Sequence, residues 1–440
     1  MTLKKRDQKH LWHPLTQHQL YPEYKAIVKA KGTLLFDEEG NSYIDAISSW
    51  YTCMYGHCND VIIKKVTAQL QQLDQVMFSD FTHQPAVELS EKLIEILPEG
   101  QDKIFFNDNG STAVEAALKM ALQFYFNQGE KRNTFIAFEN GFHGDTFGAM
   151  SVSGLSVYNG PFDNFFIDVK RIPTPNGTNT KDLINQLKTF INEHNIAGFV
   201  YEPLVQGAAG MKMYDVEGLN SILKFLKAHQ IITIADEVMT GFGKTGKYFA
   251  SEQVETKPDI ICLSKALTGG VVPLAITSVT KNIFEGFLSE EMHKGFFHCH
   301  TYAANPLACA AALASIELLT SKDIQNNIKR ISKAHIEFSK RIDTHPKVKS
   351  TRSLGVIFAL DLETKSPRYG SLRDKLLKFF MDHGVFLRPL GNTIYIQPPY
   401  VITDEELEKV YEVIEKALDL IQGFTSSETL NRNPPNETRI

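Results

Sequence analysis

Between residues 103 and 280 the sequence repeats one local pattern: a short apolar run, a turn, and a stretch with helical periodicity. The runs are Lys103-Ile104-Phe105-Phe106, Thr134-Phe135-Ile136-Ala137-Phe138, Gly198-Phe199-Val200-Tyr201, Ile231-Ile232-Thr233-Ile234-Ala235 and Ile260-Ile261-Cys262-Leu263. A strand with no polar face must be covered on both sides. The helical stretches between the runs supply those covers, and also the crossovers that parallel neighbours require. The pattern predicts the α/β class, with a large doubly wound domain on a mainly parallel sheet.

The flanks read differently. Leu34-Leu35-Phe36 and Tyr43-Ile44 predict a hairpin across Asp37-Glu38-Glu39-Gly40-Asn41. After residue 307 come two long helical patterns, an extended stretch at Gly355-Val356-Ile357-Phe358-Ala359-Leu360, and a helix from Asp404 to Ile421. A second hairpin is expected between Val385-Phe386-Leu387-Arg388 and Thr393-Ile394-Tyr395-Ile396, across Gly391-Asn392. We expect residues 1–55 and 307–422 to form one small α/β domain from both chain ends, and 56–306 to form the large domain. Residues 423–440, polar and carrying Pro434-Pro435, read as a disordered tail.

Composition narrows the classes of function. Lys and Arg number 46 against 51 Asp and Glu, and the formal net charge of −5 lacks the basic surplus that binds a phosphate backbone. Nucleic acid is therefore not an expected partner. No apolar segment follows the basic start, and no run approaches the roughly 18 to 20 residues that cross a membrane. Five cysteines at irregular spacing (Cys53, Cys58, Cys262, Cys299 and Cys309) read as free thiols in a reducing cytoplasm.

Three positions carry candidate chemistry. Asn107-Asp108-Asn109-Gly110-Ser111-Thr112 leads from a strand into a helix, and free N–H groups with the positive dipole end suit a phosphate there. The same residues also make a plain N-cap. Asp236 closes a central apolar run, so its carboxylate sits at the sheet edge where open α/β folds bind ligands, or caps the next segment. Lys265 closes another run before Gly269-Gly270; desolvated, it would be the nucleophilic amine a Schiff base needs, whereas on the surface it would be inert. Gly241-Phe242-Gly243-Lys244-Thr245-Gly246 matches G-x-G-x-x-G in the wrong context, five residues beyond the strand, and reads as a glycine-rich active-site loop. His298-Cys299-His300 lacks a second paired spacing and reads as packing or pocket wall, not a metal site.

Taken together, Asp236-Glu237-Val238-Met239-Thr240-Gly241-Phe242-Gly243-Lys244-Thr245-Gly246 and Leu263-Ser264-Lys265-Ala266-Leu267-Thr268-Gly269-Gly270 closely resemble the class III aminotransferases, which are fold-type I enzymes dependent on pyridoxal 5'-phosphate. The resemblance spans roughly residues 10 to 422. It implies that Lys265 binds the cofactor as a Schiff base and that Asp236 pairs with its ring nitrogen. Gly110 and Ser111 would hold the phosphate, Phe142 would stack on the ring, and His300 and Thr301 would reach the cofactor phosphate of a second subunit. A homodimer with shared sites is thus implied.

Leu11-Trp12-His13-Pro14, Ser48-Ser49-Trp50, Gly144-Asp145-Thr146-Phe147-Gly148-Ala149-Met150-Ser151-Val152, Asn305-Pro306-Leu307-Ala308-Cys309-Ala310 and Leu387-Arg388-Pro389-Leu390-Gly391 narrow the likeness. They resemble family members of biotin biosynthesis that move an amino group from S-adenosyl-L-methionine to 8-amino-7-oxononanoate. That likeness implies Trp50 and the backbone at Cys299 in the substrate pocket, and Arg388 facing the keto-acid carboxylate. Three positions depart from it. Leu15 stands where a tyrosine stacks on adenine, Phe142 where tyrosine is more usual, and Tyr51 where a second tryptophan is common. Lysine as donor, or an ω-amino acid or diamine as substrate, would share every cofactor motif.

Overall fold

The computed structural model describes residues 2–21, 24–154, 159–364, 368 and 370–425. In chain order the strands are β1 (Ile27–Lys31), β2 (Leu34–Asp37), β3 (Ser42–Asp45), β4 (Gln101–Asn107), β5 (Thr134–Phe138), β6 (Val169–Ile172), β7 (Ile196–Tyr201), β8 (Val205–Gln206), β9 (Lys212–Met213), β10 (Ile232–Asp236), β11 (Ile260–Leu263), β12 (Ala275–Thr280), β13 (Val348–Leu354), β14 (Ile357–Leu362), β15 (Val385–Phe386) and β16 (Thr393–Ile396).

All five predicted apolar runs fall in one seven-stranded sheet of order β4-β12-β11-β10-β7-β5-β6. Alternate residues of its strands face two separate cores. Phe135, Ala137, Val200, Ile234 and Cys262 pack under the helix Gly110–Asn127. Ile136, Phe138, Phe199, Ala235 and Ile261 pack on the other face, in the core that holds Leu219, Leu223 and Leu226 of the helix Val216–Ala228. Both faces are thus apolar because both are buried. Truncating Leu223 to alanine would cost about 2–5 kcal/mol through the cavity it leaves.

Within the sheet β12 alone runs against both its neighbours, pairing Leu263 with Ile276 on one side and Phe106 with Ile276 on the other. Its connection from β11 holds only the short turn of helix Lys265–Thr268, too little for the crossover a parallel neighbour needs. The chain ends meet in a second sheet, β1-β2-β3-β15, in which the predicted first hairpin pairs Leu34 with Ile44 and Phe36 with Ser42. A third sheet, β13-β14-β16, follows.

The second predicted hairpin does not form. β15 pairs in parallel with β3, Val385 opposite Ile44, while β16 pairs with β14. Only the single bridge between Leu390 and Thr393 spans the turn. Pro389 has no N–H to extend a ladder and Arg388 turns into the pocket described below, so each arm pairs with an older strand instead. The last helix runs Asp404–Thr425, slightly past the predicted end. Of the expected tail, residues 423–425 belong to that helix and 426–440 lie outside the described residues.

Candidate active site

The carboxyl ends of β4, β5, β7, β10 and β11, with the start of the reversed β12, meet at one edge of the large sheet and frame a cavity of about 510 Å³. Each strand therefore delivers whatever residue follows its last buried position. After β4 the chain enters the helix Gly110–Asn127, whose first turn is closed by a reciprocal cap: Asn109 Oδ1 accepts from the Thr112 amide at 3.1 Å, and Thr112 Oγ1 accepts from the Asn109 amide at 3.1 Å. Gly110 and Ser111 line the cavity at this helix start. A Cβ at Gly110 would press on Val238 at 2.9 Å, and one at Gly144, whose φ is +132°, would collide with the Ser111 side chain. Both glycines are required by close approach.

Asp236, at the end of β10, is 4% exposed. Its Oδ1 accepts from the Val238 amide at 3.0 Å and its Oδ2 from His143 Nδ1 at 2.8 Å; a carboxylate only accepts, so Nδ1 carries the proton. His143 is fully enclosed, and its Nε2 has no hydrogen-bond partner among the described residues. An unsatisfied ring nitrogen and a charged carboxylate at the floor of a cavity are costly unless something with complementary groups binds there.

Lys265 follows β11 with φ of +51°, and its amine lies 5.4 Å from the centre of the Tyr51 ring. Desolvation by the surrounding walls holds that amine below the ordinary lysine range, partly offset by the charges of Asp236 and Glu202. The amine is therefore closer to nucleophilic at neutral pH than a surface lysine. The alternative of a plain surface residue does not hold.

The opposite wall comes from the chain ends. Leu15, Trp50, Tyr51, Arg368, Arg388 and Leu390 all line the cavity, and the Arg388 guanidinium sits 4.8 Å from the Trp50 ring centre. Ser48, Ser49, Trp50 and Tyr51 each have positive φ, between +45° and +71°. Four successive non-glycine residues in the left-handed region are strained, each by about 1–3 kcal/mol. The turn is tied down by Ser49 Oγ donating to Asp45 Oδ2 at 2.7 Å and Ser48 Oγ donating to the Gln397 carbonyl at 2.8 Å. Nothing in the local sequence announces this turn.

Phe142 also lines the cavity, and its amide donates to Glu202 Oε1 at 3.0 Å. Glu202, 5% exposed, takes a second amide from Gly207 on Oε2 at 2.9 Å. Burial raises its pKa to about 7, against the help of the two amides and His143. Sequence reasoning missed Glu202, although it ends the run Gly198-Phe199-Val200-Tyr201 just as Asp236 ends its own. It also missed two buried groups behind the site. Glu237 accepts from the Ala250 and Ser251 amides at 2.8 Å, and desolvation raises its pKa. Lys244 donates to the Gly241 carbonyl at 3.1 Å, and desolvation holds its amine well below the ordinary range.

Several expected residues lie elsewhere. The Gly241–Gly246 stretch is not cavity wall: Gly243 packs against Ile328 and Tyr400, and the Val356 amide donates to the Lys244 carbonyl at 2.9 Å. Its glycines serve close packing of the large sheet's edge on the C-terminal elements. Trp12 is 90% exposed and outside the cavity. Cys299, His300 and Thr301 are likewise not brought into the chain's own cavity. Cys299 is exposed, His300 lies 3.4 Å from Asp108, and the Thr301 carbonyl accepts from Gln75 at 2.9 Å. They sit on a segment without regular secondary structure.

A capped helix start, an enclosed carboxylate and a desolvated lysine thus meet at one sheet edge. The class-III aminotransferase model matches residues 17–418, and the chain belongs to that family. It is 41% identical over 421 residues to the adenosylmethionine-8-amino-7-oxononanoate aminotransferase of Synechococcus elongatus, covering 94% of this chain and 99% of the relative. To the enzyme of the same name from Geobacter sulfurreducens it is 37% identical, covering 96% and 98%. The crystal structure of adenosylmethionine-8-amino-7-oxononanoate aminotransferase from Methanocaldococcus jannaschii superposes with a TM-score of 0.91 at 32% identity, covering 95% of this chain and 98% of that one. No helix among the described residues is long and apolar enough to cross a membrane.

Proposed function

We propose that the chain transfers an amino group from S-adenosyl-L-methionine to the ketone of 8-amino-7-oxononanoate, giving 7,8-diaminononanoate for biotin biosynthesis, with pyridoxal 5'-phosphate as cofactor. The observation that carries the reading is the convergence of Lys265, Asp236, the Gly110–Ser111 helix start and Arg388 on one cavity. The residues fit the cofactor. The Gly110–Ser111 helix start suits a phosphate, and the Asp236 carboxylate, oriented by His143, matches a protonated ring nitrogen.

When bound, pyridoxal phosphate supplies a conjugated ring into which the electron pair of a broken C–H bond spreads. Asp236 would hold a proton on the ring nitrogen and so keep that ring electron-poor. Lys265 would take the proton from the donor carbon and pass it to the cofactor, and in the second half-reaction would carry a proton the other way, onto the acceptor carbon. Phe142 would stack on the ring, and Arg388 would take the carboxylate of the keto acid as a planar fork. Leu15, Trp50 and Tyr51 would form the apolar wall against which the substrates lie. His300 and Thr301, which do not line their own cavity, would reach the phosphate in a neighbouring subunit, and Cys299 would add its backbone there, so the working unit would be a homodimer; with free thiols it would work in the cytoplasm.

Leu15 favours a second reading for the donor alone. An aliphatic side chain in the cavity wall offers no ring for adenine to stack on, which suits lysine. A single-turnover screen separates them. The cofactor-loaded protein is mixed in turn with S-adenosyl-L-methionine, lysine, ornithine and 4-aminobutyrate, and the visible spectrum is followed to the amine form. Conversion by S-adenosyl-L-methionine supports the proposal, lysine alone changes the donor, and ornithine or 4-aminobutyrate alone overturns the reaction.

A further inference from the structure

The cavity wall contributed by the chain ends carries two arginines, and the reaction proposed above gives work to one. Arg388 stands on the face of Trp50. Arg368 lines the same cavity, and its backbone lies against the turn that follows Arg388: a Cβ on Gly391 would come within 2.9 Å of Arg368 Cα. Both cations bear on the same two phenols, easing ionisation of Tyr51 and Tyr395 against the burial that opposes it. The acids of the cavity are Asp145, Glu202 and Asp236. Asp236 is engaged by His143 and the Val238 amide, and Glu202 by the amides of Phe142 and Gly207. Carboxylates thus line the cavity at the sheet edge, and two arginines line it from the chain-end wall.

We propose that Arg368 is a second carboxylate-recognising residue, and that Arg368 and Arg388 divide between them the carboxylates of the two substrates that enter in turn. The inference rests on the reaction assigned above. The reacting carbon of each substrate must come to the same place beside Lys265. An α-amino acid donor carries its carboxylate one bond from that carbon. 8-Amino-7-oxononanoate carries its own six bonds away, roughly 7 Å in an extended chain. One guanidinium held on Trp50 cannot serve both positions, and a carboxylate taken out of water without a partner is costly.

The test uses the holoenzyme and follows each half-reaction separately through the cofactor spectrum, in wild type, Arg368→Gln, Arg388→Gln and Arg368→Lys. Each glutamine substitution should raise the half-saturating concentration of a different substrate by about tenfold or more, with the other substrate within about twofold. Arg368→Lys, which keeps the charge, should recover part of the loss. The division is overturned if Arg368→Gln leaves both substrates unchanged, or if both glutamine variants weaken the same substrate alone. A wild type that converts with neither substrate overturns the reaction assignment and the division together. A wild type that works beside an indifferent Arg368→Gln overturns the division alone.

Discussion

Glu202→Gln offers a prediction whose size follows from the structure. The carboxyl is buried, and desolvation lifts its pKa from 4.5 to about 7. An unfolded chain ionises this group near its ordinary value, while the folded chain resists until about 7. Between those values the folded state binds more protons, so stability falls as pH rises through the window. The full penalty stands above about pH 7 and vanishes below about 4.5. At about 1.36 kcal/mol for each tenfold change in the acid's ionisation constant, it amounts to roughly 3 kcal/mol at pH 8 and under about 1 kcal/mol at pH 5. Glutamine removes that penalty. It also turns an NH2 group toward one of the two amides now bound by Glu202, a pH-independent loss of about 1–3 kcal/mol. Guanidinium unfolding of the cofactor-free protein at several pH values from 5 to 8 reads the difference. The stability of the variant relative to wild type should climb by about 2–3 kcal/mol across that range, whatever its offset. Parallel profiles, or a relative stability that falls with pH, would refute the desolvated carboxyl.

Other substitutions probe the remaining parts. Lys265→Ala should lower transamination about a thousandfold or more, while dialysis still detects cofactor bound without a covalent link. Gly144→Ala forces a Cβ into Ser111 at a positive φ, and equilibrium dialysis should find cofactor affinity reduced about tenfold or more. If His300 and Thr301 serve a neighbour's site, dilution should lower specific activity in step with the dimer fraction measured by sedimentation, and activity that persists in a monomer would contradict the shared site.

The sequence makes the large sheet legible because its strands are apolar on both faces, a pattern few other folds need. It makes Asp236 and Lys265 legible because each is a charged residue within two positions of the end of such a run. Glu202 is legible on the same ground, at the end of Tyr201. The hairpin expected at Gly391-Asn392 fails because β15 finds β3, some 340 residues away, and no local signal reports a partner that distant. The left-handed turn at Ser48 to Tyr51 is equally hidden, since it is imposed by Asp45 and by Gln397 from the far end of the chain. The Gly241–Gly246 stretch resembles a ligand loop because glycine marks close approach without saying to what. Here the close neighbours are Ile328, Tyr400 and Gly355. Arg368 carries no signal at all in its local sequence, and only the folded chain sets it beside Arg388.

The central claim is tested most directly by product formation. The purified holoenzyme is incubated with 8-amino-7-oxononanoate and S-adenosyl-L-methionine, and the mixture is analysed by mass spectrometry. The account predicts 7,8-diaminononanoate appearing over many turnovers, dependent on both substrates and abolished in Lys265→Ala. Absence of that product in the wild type with either S-adenosyl-L-methionine or lysine, while another amine and keto acid turn over rapidly, would contradict it.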